Sequence, residues 1–230
     1  MLKFPRIFLA LCILLLAASA HALPLENLSS KEAQGGLKEA LTQGAQKAVG
    51  MLGRPDGFLN NPQVKIPLPE GLSKVESLLR KLGMGKQADE LILAMNRAAE
   101  AAVPEARGLL VNAVKQMTVE DVKGILTGGN DAATQYFRRA TAEPLAVRFK
   151  PIVQKAIAKV RVAEKYDEFV TRGAKLGILK EDEHLDAYVT QKTLDGLYTM
   201  IAEEERAIRQ NPADAAGRLA KKVFGLLKSD

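Results

Sequence analysis

Cysteine, histidine and tryptophan are almost missing from this chain of 230 residues, which has one Cys, two His and no Trp. The single cysteine, Cys12, lies near the N-terminus in an unbroken apolar run over residues 7–18. Lys3 and Arg6 precede that run, and Ala20 and Ala22 flank His21 after it, at the spacing a signal peptidase reads. The pattern predicts a signal peptide over residues 1–22, cleavage near Ala22, and a mature exported domain of residues 23–230. A run of about twelve apolar residues falls short of the roughly twenty that span a bilayer, so removal rather than anchoring is the reading. Cys12 sits in mid-run before Ile13, which does not suit a lipidated N-terminus.

Cleavage removes Cys12 and His21, leaving no thiol and one imidazole, His184. Cysteine nucleophiles, thiolate metal sites and two-histidine metal centres are thereby excluded, and no cofactor or metal is expected. An exported domain without disulfides must rest on its hydrophobic core. The formal charge of +6 falls by two with Lys3 and Arg6. The remaining basic excess is compatible with weak peripheral association with an anionic membrane surface and names no partner. Nucleic acid and nucleotide-driven chemistry are not expected outside the cytoplasm.

What is present is helical periodicity. Ser29 with Glu32 forms a capping-box pattern, and Leu37, Leu41, Ala45, Ala48 and Leu52 then recur at three- and four-residue steps. Gly36, Ala40 and Gly44 keep part of this helix thin enough for a close neighbour. A helix is expected over residues 70–82, and another with Ala88, Leu91, Ile92, Met95, Ala99 and Ala102 on one face. Pro104 fits the first turn of the next. Thr118 with Asp121 caps a short helix to Leu126, and Asn130 or Asp131 caps the one that follows. Pro144 is read as starting a further helix, with a kink at Pro151. Helices over residues 164–176, 183–210 and 214–227 complete the chain, the last a basic amphipath. The fold class is all-α: a single multi-helix bundle with one proline-rich extended segment.

That segment covers residues 53–69. Four prolines forbid a continuous helix, and Val64, Ile66 and Leu68 alternate with Lys65 and Pro67 as in an extended strand. Two readings stand: a connector clamped to the bundle, and a functional loop.

Candidate chemistry is sparse. The Gly128-Gly129 turn before a helix has the amides of an anion site but lacks the Lys-Ser or Lys-Thr pair of a phosphate-binding loop. Arg138 and Arg139 follow Tyr136 and Phe137, a combination that suits a carboxylate or phosphate and equally an ion pair within the fold. Glu181 and His184 form a single Glu-x-x-His, whereas di-iron bundles need two. Glu205 and Arg209, four apart, read as a helix-surface ion pair.

Several segments together resemble the exported bacterial family filed as domain of unknown function family 4197. They are Ser30-Lys31-Glu32-Ala33, Asp56-Gly57-Phe58 with Asn61-Pro62 and Ile66-Pro67-Leu68-Pro69, and Met95-Asn96-Arg97-Ala98-Ala99-Glu100. Ile125-Leu126-Thr127-Gly128-Gly129, Gln135-Tyr136-Phe137-Arg138-Arg139, and Tyr188-Val189-Thr190-Gln191-Lys192 with Asp195-Gly196-Leu197-Tyr198 extend the likeness. The resemblance implies a predominantly helical periplasmic protein and carries over no activity, cofactor or catalytic residue.

The expectation is therefore a non-catalytic periplasmic helical module that binds a partner protein or an apolar ligand such as a lipid. Phe58, Asn61, Ile66, Tyr136, Arg138 and Arg139 are the candidate contacts, with no catalytic residue and an open oligomeric state. The alternative is a hydrolase or transferase of the cell envelope that uses carboxylates such as Glu100, Asp131 or Asp195. A deep pocket gathering two of them would favour it.

Overall fold

The computed structural model describes residues 30–70, 80, 85–159, 184–212 and 217–227. The helices are α1 (Ser30–Leu52), α2 (Gly85–Ala102), α3 (Ala106–Gln116), α4 (Val119–Thr127), α5 (Ala132–Ile157), α6 (Leu185–Gln210) and α7 (Arg218–Leu227). A 3-10 turn at Val103–Glu105, with Pro104 in its first positions, joins α2 to α3. Among the described residues the fold is all-α. The signal at 1–22, Ser29, the helix expected over 164–176 and all but residues 70 and 80 of the one expected over 70–82 lie outside them.

Apolar periodicity explains α1 and α2. Leu37, Leu41, Ala45, Ala48 and Leu52 of α1 are all buried, as are Ala88, Leu91, Met95, Ala99 and Ala102 of α2. α5 and α6 form the central pair, α2 lies against both, and α1 packs on α6, α3 and α7. Phe137, Phe149 and Leu145 of α5 and Leu197 and Tyr198 of α6 fill the centre. Each such side chain, fully buried, contributes about 1.5–3 kcal/mol through the apolar area it removes from water.

The tight crossing of α1 and α7 is where the thin face of α1 is used. A Cβ on Gly36 would stand 2.6 Å from both Leu219 O and Val223 Cγ2, whereas one on Gly44 would make an ordinary 3.7 Å contact with Glu204 Cβ. α7 turns Ala220, Val223 and Phe224 inward. Lys221 stays exposed, and Lys222 Nζ lies 3.2 Å from Glu32 Oε1.

Local capping at α4 follows the sequence. Thr118 Oγ1 accepts from Asp121 N at 3.1 Å, and Thr118 N donates to Asp121 Oδ2 at 2.9 Å, satisfying two of the amides that every helix start leaves orphaned.

α5 departs from the sequence reading in two ways. It runs unbroken through Pro144 and Pro151, so Pro144 starts no helix. A proline inside a helix removes one donor and leaves the carbonyl four residues earlier without its partner. Those carbonyls belong to Ala140 and Val147, and all four residues are exposed, so water serves them while Leu145, Phe149 and Val153 hold the opposite face in the core. The second departure is the cap. Asp131 makes no side-chain cap bond, and Glu205 of α6 does so instead. Its Oε1 accepts from Ala133 N at 3.0 Å, and its Oε2 from Thr134 N at 2.9 Å and Thr134 Oγ1 at 2.8 Å. The amides of the turn after Gly128-Gly129 thus hold an anion belonging to the protein itself. Nor is Glu205 in a surface pair with Arg209: their side chains are 3% and 13% exposed, 2.9 Å apart. Arg209 also donates to Ile125 O at 2.9 Å, tying the end of α4 to α6.

Candidate functional site

α1 ends where Gly53 N donates to Val49 O at 2.8 Å and Pro55 forbids further turns. The chain reverses at Asp56, whose φ of +67° is left-handed, a conformation Asp tolerates better than most side chains. From there residues 57–69 are held by polar side chains of α2 and α6 rather than by a β-ladder.

Glu100 is the first tie. Although only 5% exposed, its carboxylate accepts from two successive amides, Phe58 N at 3.1 Å and Leu59 N at 3.2 Å, through Oε1. Its Oε2 accepts from Arg97 Nη1 at 2.6 Å, and Arg97 Nη2 reaches Asp56 Oδ1 at 2.8 Å. The hydrogen bond it donates to Glu100, then that to Asp56, raises the Arg97 guanidinium above its usual value. Asn96 is the second tie, fully buried. Its Oδ1 accepts from Ile66 N at 2.9 Å, and its Nδ2 donates to Ile66 O at 2.9 Å and to Ile92 O at 2.8 Å, so one amide side chain replaces a neighbouring strand. The third is Tyr188 of α6, whose hydroxyl donates to Pro67 O at 3.0 Å.

Apolar side chains complete the attachment. Val64, Ile66 and Leu68 are buried, and Lys65 and Pro67 between them are exposed. Phe58 is wholly buried against Gly196 of α6, where a Cβ would lie 2.6 Å from the Phe58 ring. Half-buried Asn61 points Nδ2 at Met200 Sδ, 3.6 Å away, and its Oδ1 accepts from Gln63 N at 3.1 Å.

Replacing Asn96 by leucine keeps the volume and orphans the Ile66 amide and carbonyl, at about 1–3 kcal/mol for each group left buried without a partner. The expected result in hydrogen exchange is loss of protection at Ile66 with the amides of α5 and α6 unchanged. Unaltered protection at Ile66 would show that Asn96 does not hold the segment.

The sequence-derived contacts thus separate. Phe58 and Ile66 face the core, and Asn61 is half-buried beside Met200. Tyr136 is buried and donates to Ala113 O at 2.7 Å. Arg138 lies 4.7 Å over the Tyr198 ring and 3.6 Å from Asp195 Oδ1, while Arg139 is exposed. Burial pushes the Tyr198 phenol up despite its hydrogen bond with Thr141, and burial likewise raises Tyr136. Neither phenol is a base near neutral pH.

The three carboxylates of the enzymatic alternative have separate partners. Glu100 is filled by two amides and Arg97, Asp195 takes Arg138 and Gln191 Nε2 at 3.0 Å, and Asp131 takes Gln135 Nε2 at 3.1 Å. A shallow depression of about 530 Å³ opens between the end of α1 and the segment, lined by Met51, Arg54, Pro55, Asp56, Gly57, Asn60, Asn61 and Pro62. Its one carboxylate, Asp56, is committed to Arg97. Among the described residues no three His, Cys, Asp or Glu side chains gather, and no helix is long and apolar enough to cross a membrane. The ties that Asn96 and Glu100 make to the segment escape sequence reading, although one signal for them exists: they are polar residues four apart that border the apolar stripe of α2.

The model of the family described as protein of unknown function (DUF4197) matches residues 27–225, and the chain belongs to that family. No curated protein and no solved structure matches it.

Proposed function

We propose that this protein is a non-catalytic helical module of the periplasm that binds a partner protein through the outer edge of the 53–69 segment. The observation that carries the reading is the use of two buried polar side chains, Asn96 and Glu100, to fix a loop backbone. A mere connector between helices needs no such fixation, because its amides are satisfied by water. A recognition loop gains from it, since rigidity in advance lowers the entropy lost on binding. Phe58 and Ile66 hold the loop from beneath, and Arg54, Asn60 and Pro62 are the exposed groups that meet the partner. The periplasmic location rests on the export pattern of residues 1–22.

Of the two occupants expected from sequence, the protein is better supported than the lipid. The apolar recess between α1, α5 and α6, lined by Leu41, Phe137 and Ile201 among others, has a volume of only about 10 Å³. That is room for about one water molecule, against the several hundred cubic ångströms of a ligand pocket. Saturation of Glu100 by donors also weighs against its acting as a general base.

Photo-crosslinking from Asn60 in intact cells, paired with native mass spectrometry of the protein purified without detergent, tests the proposal. One discrete crosslinked protein is expected, lost when Arg54→Glu is introduced at unchanged stability, together with a bare mass. A reproducible adduct of lipid mass, or a crosslinking pattern indifferent to Arg54→Glu, would overturn it.

A further inference from the structure

We draw no further inference here: the strongest candidate, the exposed apolar stripe of Ala140, Pro144, Val147 and Pro151 on the outer side of α5, is bordered by Lys155 and Glu143 alike, and nothing in the structure shows what covers it.

Discussion

Glu205→Ala is expected to destabilise the protein by about 3–5 kcal/mol, the range found when one member of a buried ion pair is removed and the other left behind. Three losses combine. The amides of Ala133 and Thr134 lose their acceptor at the start of α5, the Thr134 hydroxyl loses its own, and Arg209 remains largely buried without its carboxylate. For a chain of this size the thermal midpoint should fall by roughly 6–20 °C, at about 2–4 °C per kcal/mol. Glu205→Gln should fall between wild type and alanine, since one amide oxygen still accepts but the NH2 group faces other donors. Chemical denaturation decides the matter. A cost below about 1 kcal/mol, the value of an exposed pair four residues apart, would mean that Glu205 and Arg209 act only on each other.

Phe58→Ala should cost about 3–5 kcal/mol, the usual penalty for emptying a buried aromatic site. The ring is wholly buried and fills the space left by the missing Cβ of Gly196. Gly196→Ala in turn should cost about 1–3 kcal/mol by overpacking, because its methyl group would press on that ring. The decisive result is the double variant. With the ring gone, the methyl has room, so Gly196→Ala should become nearly neutral in the Phe58→Ala background, and denaturation midpoints of the four proteins should be non-additive. Additive losses would place the two residues in separate clusters. Loss of partner binding in Phe58→Ala alone would be an effect on loop conformation, whereas Arg54→Glu should alter binding at constant stability.

The interactions that were legible in the sequence are those that close within a helical turn or repeat along one face. Thr118 finds Asp121 three residues away, and the α1 and α2 stripes repeat at the helical period, so both could be read directly. The cap of α5 could not. Its acceptor, Glu205, lies 72 residues from Ala133, and a reading confined to neighbours pairs it with Arg209 alone. The same holds for Asn96 and Ile66, 30 residues apart. Pro144 misled for a different reason: reading it as a helix start presumes that a carbonyl freed by a proline inside a helix is costly, which fails on a face open to water. Of the candidate site, the segment was legible from its prolines and its alternation, but the direction in which Phe58 and Ile66 point depends on α2 and α6.

The crossing of α1 on α7 has a consequence for the order of events in the cell. Synthesis delivers α1 before any other described helix and α7 last, yet α7 and α6 are among the main partners of α1. The first helix therefore keeps an apolar flank bare until nearly the whole polypeptide has emerged. Folding of this chain is obliged to be post-translational in its final step, and during that interval the unfinished molecule is a natural client for chaperones that shield bare apolar surface.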